Sequence, residues 1–91
     1  MIVNTKHGEF EVKDLSRKER RKHLREVKEV FMKNDQLELH DLGDKFTLIA
    51  FGKEENATEQ LGKLSALQED MVLLEIISQY MGFDLGNASG D

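Results

Sequence analysis

Apolar positions along the chain change period near residue 16. Before it, Ile2-Val3-Asn4-Thr5 and Phe10-Glu11-Val12 are short strand-like runs flanking Lys6-His7-Gly8-Glu9, whose glycine can take the positive φ of a tight turn. A two-stranded hairpin is predicted. After it the helical period takes over. Ser16 and Glu19 make a capping-box pattern, Asn34-Asp35 closes the segment, and the predicted helix runs over about 17–33. Leu24, Val27 and Phe31 share one face of it, with Val30 at the margin.

In 36–51, Leu39, Leu42, Phe46, Ile49 and Ala50 recur at helical spacing. Phe46–Phe51 also fits a strand, and Gly43 weakens a helix by about 1 kcal/mol relative to alanine. Helix is the preferred reading of the two. Gly52–Asn56 is a polar break, and Ala57–Lys63 suggests a short helical turn. Ser65 with Gln68 repeats the capping box, and Leu67, Met71, Leu74, Ile77 and Met81 mark a helix over 66–81 that Gly82 can end in a left-handed cap. Leu73, Ile76 and Tyr80 form a second apolar stripe, so this helix is either central in the core or shared with a partner. The expected core is Leu24, Val27, Phe31, Leu67, Met71, Leu74 and Ile77, with Phe10 nearby.

The predicted fold class is α+β, mainly α: an N-terminal two-stranded β-hairpin followed by a small bundle of two to three helices. One globular domain is expected over 1–84, with a frayed tail at 85–91. Proline and cysteine are both absent, which excludes disulfides, thiolate metal sites and cysteine nucleophiles. No basic segment with a following apolar run stands at Met1–Thr5, and no apolar stretch nears the roughly 20 residues of a membrane span, so a cytoplasmic protein without membrane contact is expected. The sequons at Asn56 and Asn87 are then chance matches.

Charge alters the picture. Residues 17–25 hold six Lys or Arg and one acid, a local +5 within a chain of net charge −5. Arg17, Lys18, Arg21, Lys22, Arg25 and Lys28 fall on one side of the first helix, opposite its apolar face. Arg17–Arg21 and Arg21–Arg25 are like-charged neighbours, only partly offset by Lys22–Glu26 and Arg25–Glu29. Three readings stay open: a solvated face drawn to the domain's own acid, a surface for an acidic partner, or a nucleic-acid face. The last is disfavoured by the surrounding negative charge and by the lack of interleaved aromatics.

Candidate chemistry is sparse. His7, His23 and His40 share no ligand spacing, and Asp41-Leu42-Gly43-Asp44 lacks the remaining positions of a calcium loop, so no metal is expected. There is no Gly-rich phosphate loop and no serine flanked as a nucleophile, and adjacent carboxylates at Glu54-Glu55 and Glu69-Asp70 do not face each other across a substrate. No catalytic residue and no cofactor are expected. The residues proposed for partner binding are Arg17, Lys18, Arg21, Lys22 and Arg25 on the first helix and Leu73, Ile76 and Tyr80 on the last.

Two stretches, TKHGEFEVKDLSRKERRKHLREV and LSALQEDMVLLEIISQYMGFD, together resemble the tail assembly chaperones of long-tailed bacteriophages. The similarity runs over about residues 3–84 and is a pattern of small elements; the middle, DLGDKFTLIAFGKEENATEQ, matches only as a helix-like apolar segment before an acidic break. The resemblance implies a small non-enzymatic helical protein that binds the tape measure protein, keeps it soluble, helps recruit tail tube subunits, and is absent from the finished virion. Two rivals remain: a small nucleic-acid-binding regulator using the basic face, or an acidic decoy of a nucleic-acid-binding protein.

Overall fold

The computed structural model describes residues 1–82; the segment expected to fray, 85–91, lies outside the described residues. Strands β1 (Ile2–Thr5) and β2 (Gly8–Glu11) pair antiparallel, with Thr5 opposite Gly8 and Val3 opposite Phe10. The loop is therefore only Lys6-His7, and Gly8 takes φ +121° to close it. Val3 and Phe10 point inward from one face of this ribbon and are buried, as is Val12 just beyond it.

Four helices follow: α1 (Arg17–Lys33), α2 (Gln36–Phe51), α3 (Glu54–Leu61) and α4 (Ala66–Met81). The fold is mainly α with a small β part, as the periodicity predicts, but with four helices instead of two to three: α3 begins at Glu54, inside the stretch expected as a polar break, and ends at Leu61, short of the expected turn over 57–63. Both capping boxes form: Ser16 and Ser65 accept from the backbone N–H of Glu19 and Gln68, whose side chains return the bond. Asn34, at φ 54°, ends α1, and Asp35 immediately caps α2 by accepting from Leu37 and Glu38. Segment 36–51, which fits strand or helix by pattern, is helix. Gly43 is buried where α2 packs against α4, the nearest atom to a β-carbon built there being Leu73 Cδ1 at 3.6 Å.

The core gathers Val3, Phe10, Val27, Leu42, Phe46, Leu61, Val72, Ile76 and Ile77 from every element. On α1 the expected face holds: Val27 is fully buried, and Leu24, Val30 and Phe31 pack partly buried against the core. On α4 it does not. Leu67 is 71% exposed, Met71 40% exposed and Leu74 only half-buried, while Val72, Leu73, Ile76, Ile77, Tyr80 and Met81 are inside. The buried face is turned by about one residue, roughly 100°, from the expected stripe.

The hairpin explains the turn. β1 packs on α4, and two backbone groups of the ribbon bind the polar edge of the helix: Lys6 N–H donates to Glu75 Oε2 at 3.3 Å, and Gln79 Nε2 donates to the Asn4 carbonyl at 3.2 Å. Glu75 and Gln79 thus face the ribbon, Val72 and Ile76 go beneath it, and the Leu67 side is left outside. Among the described residues no helix is long and apolar enough to cross a membrane.

Candidate functional site

Two surfaces stand out. The first is the outer face of α1. Arg17, Lys18, Arg21, Lys22 and Arg25 are all exposed along it, as is Lys28. Among the described residues none of them is held in an ion pair: Glu26, the expected partner of Lys22, accepts instead from Lys45 Nζ of α2 at 2.7 Å. The basic face is thus free of ion pairs with the described acids. At its N-terminal end the Glu19 carboxyl is drawn below its ordinary pKa by its hydrogen bonds with Ser16, so the capping box adds a fixed negative charge there.

The second is a groove of about 400 Å³ between α2 and α4. Leu39 from α2 and Leu67 and Leu74 from α4 line it, with the buried Leu73 and Ile77 beneath. Met71 lies one turn from Leu67 and Leu74 on the same exposed side of α4. His40 Nε2 stands 3.6 Å from Asp70 Oδ2 across the groove. Toward α3 the groove runs into a second depression that shares Asp44, Asp70 and Leu73 and adds Glu54 and Glu69. Four carboxylates from three helices therefore border this end, and neither depression is lined by Lys or Arg. The potential there is negative beside exposed leucine, a surface suited to a cationic amphipathic segment.

The residues proposed from sequence divide accordingly. The basic five are together on one exposed face. Leu73, Ile76 and Tyr80 are buried and do not form an exposed surface; their stripe takes a central position in the core, and the exposed apolar residues of α4 are Leu67 and Met71, with Leu74 half-buried beside them. Tyr80 instead ties the core to the linker before α1. Its hydroxyl donates to the Lys13 carbonyl, and burial, with the Asp14 carboxylate nearby, pushes its pKa up to about 12. His23 leans edge-on to Phe46, ring centroids 5.6 Å apart, and desolvation, aided by Lys45, pulls its pKa below the ordinary value. Asp41 and Asp44 sit on the surface of α2, Asp44 at the groove.

Sequence reasoning missed the groove. Spacing puts Leu67 and Leu74 in the core and Leu39 on the apolar face of its helix, and Asp44, Glu54, Glu69 and Asp70 are dispersed along the chain; only the packing of α2 on α4 and α3 brings them together. Compared with known protein families, curated proteins and solved structures, the chain matches none.

Proposed function

We propose that this protein acts by binding another protein, as a tail assembly chaperone that holds the tape measure protein in solution and assists recruitment of tail tube subunits. The observation that supports the reading is the α2–α4 groove, where exposed Leu67 and half-buried Leu74 lie beside Asp44 and Asp70, with Glu54 and Glu69 in the adjoining depression. A long helical client exposes apolar seams flanked by charge before it is enclosed, and such a seam fits an apolar groove with a charged rim. Together with the resemblance of residues 3–84 to that family, this favours a client-binding role. The α1 basic face then serves encounter more than retention, because exposed charges chiefly change association rates.

Co-expression with a tape measure protein tests it. The wild type is expected to co-purify with the client, and Leu67→Asp with Met71→Asp, both at exposed positions, is expected to speed dissociation at least about tenfold. Arg21→Glu with Lys22→Glu is expected mainly to slow association and flatten its salt dependence. A second reading has one observation in its favour: the basic face of α1, whose cations are held in no ion pair among the described residues, suits phosphate contacts. If the protein binds generic DNA or RNA with about micromolar affinity at physiological salt and yields no complex with a tape measure protein, the regulator reading replaces the chaperone reading.

A further inference from the structure

The two walls of the α2–α4 groove run parallel, since His40 faces Asp70 and Gly43 faces Leu73 three residues further along both helices. Leu67 and Leu74 stand seven residues apart on one wall, about 10 Å at the rise of an α-helix, with Leu39 on the other. An apolar strip of that length takes two turns of a guest helix, whose own apolar residues recur at i, i+3 or i+4 and i+7. The charge beside it has one sign. Asp44 and Asp70 line the groove where it meets the depression toward α3, Glu54 and Glu69 follow there, and no Lys or Arg lines either.

Among the described residues lining the groove, His40 alone is basic. Its Nε2 lies 3.6 Å from Asp70 Oδ2, beyond hydrogen-bond distance, so the neutral ring is only loosely placed there and the protonated ring is held by charge. Both side chains are reachable from solvent, His40 at 62% and Asp70 at 49% exposure, and an incoming cation can take the place of the ring. The other charged groups facing this point are acids: Asp44 one turn along α2, Glu69 next to Asp70 on α4, and Glu54 beyond on α3. The nearest cation toward α1, Lys33, is paired with Glu38 on the opposite side of α2.

We propose that the groove takes a cationic amphipathic helix of a protein partner, one Lys or Arg of which replaces His40 at Asp70, so that His40 holds the place of that cation and weakens binding when it is protonated. The inference rests on the reading of the groove as a protein-binding surface, and adds to it the sign of the guest and its response to pH. Protonated, His40 neutralises Asp70 and sets a positive charge beside the guest's own; neutral, it does neither. Imidazoles exchange their proton between about pH 5 and 8, so a cationic guest binds more weakly at the lower end of that range. Reciprocity requires the converse, that a bound cation drives the proton off His40. The groove also selects by what it repels, since an acidic helix would add its charge to Asp44 and Asp70.

Fluorescence anisotropy on the purified full chain tests it with a labelled synthetic helix of about five turns, leucine at the i, i+3, i+4 and i+7 positions and lysine along one flank. Its control carries glutamate in place of each lysine. At about 0.15 M salt and about pH 7.5 the lysine helix is expected to bind at least about tenfold more tightly than the glutamate helix, and to lose about threefold or more at about pH 5.5. His40→Gln is expected to remove most of that pH response. Asp44→Asn with Asp70→Asn is expected to weaken the lysine helix at least about fivefold, whereas Glu9→Gln with Glu11→Gln, the same change of net charge on the exposed hairpin, leaves it within about twofold. All five positions are exposed or half-exposed, so helical circular dichroism should not change. Equal binding of the two helices, a pH response that survives His40→Gln, or equal losses from the groove and hairpin pairs overturns the inference. A tape measure protein that co-purifies through Leu67 and Met71 while the two helices bind alike overturns this inference alone; a lysine helix that behaves as described, with no tape measure complex, supports it and removes the chaperone reading.

Discussion

Helices α1 and α4 begin alike and end up oriented by different forces. Each opens with a serine capping box, runs for four to five turns, and carries apolar residues at helical spacing. On α1 the polar arc is densely charged, so only one face can enter the core, and Val27 goes there with Leu24 and Phe31 beside it. On α4 the apolar arc is so wide that several orientations bury similar area. The orientation found is the one in which Glu75 and Gln79 bond the hairpin backbone, α2 covers the Leu73 side, and Leu67 stays in solvent. Periodicity specifies that a helix forms; the distribution of charge around it decides whether its inward face is specified too.

The sharpest break in this comparison comes from paired truncations on α4. Ile77→Ala, at a fully buried position, is expected to cost about 2–5 kcal/mol in chemical denaturation, and Leu67→Ala, largely exposed, less than about 0.5 kcal/mol. Equal costs at the two positions would restore the orientation that spacing alone suggests. Next in size, Tyr80→Phe removes the hydroxyl that donates to the Lys13 carbonyl and is expected to cost about 1–2 kcal/mol. Because the folded-state pKa of Tyr80 is raised to about 12, the folded chain holds its proton where the unfolded chain gives it up. Stability should therefore fall as pH rises above about 10, and the Phe variant, which has no proton to lose, should show a smaller fall.

Gly43→Ala sharpens the comparison from the α2 side. A β-carbon there meets Leu73 at ordinary contact distance, so the gain in helix propensity should dominate and raise stability by about 0.5–1 kcal/mol. Loss of stability instead would mean that α4 sits closer to α2 than this packing. The smallest effect belongs to α1. The pKa of His23 is held below its ordinary 6.5 by desolvation beside Phe46, so the unfolded chain binds a proton more readily than the folded one. That favours the fold above about pH 6.5 and declines as pH drops toward the folded-state value, and His23→Phe should flatten this slope in melts at pH 7 and pH 5.5.

Most of the fold was legible because its signals are local. Gly8 marks the hairpin, Ser16–Glu19 and Ser65–Gln68 mark two helix starts, and Asn34-Asp35 marks the only break between α1 and α2. Segment 36–51 was readable as helix once Leu42, Phe46 and Ala50 outweighed Gly43, a glycine the helix tolerates although a β-carbon there would meet Leu73 only at ordinary contact distance. The basic half of the candidate site was legible too, since charge on a single helix needs no tertiary knowledge. The groove was not, because its leucines look like core residues and its carboxylates come from α2, α3 and α4. The one signal that bears on it is Glu75 with Gln79: two polar residues a turn apart in the largely apolar second half of α4 had a partner to meet, and that partner was the backbone of the ribbon.

The linker between β2 and α1 has a consequence for how the molecule comes apart. The N–H of Lys13 donates to the Ala50 carbonyl near the end of α2, and its C=O accepts from Tyr80 near the end of α4. A single peptide segment is thereby clamped by the last turns of two helices that follow it in the chain. Neither helix terminus can fray without releasing the strap, and the strap cannot lift without leaving both termini short of a partner. Fraying, which in most small helical proteins begins independently at each end, is here tied to detachment of the hairpin, so the domain should open as one cooperative unit and the Lys13 amide should be among the slowest to exchange with solvent.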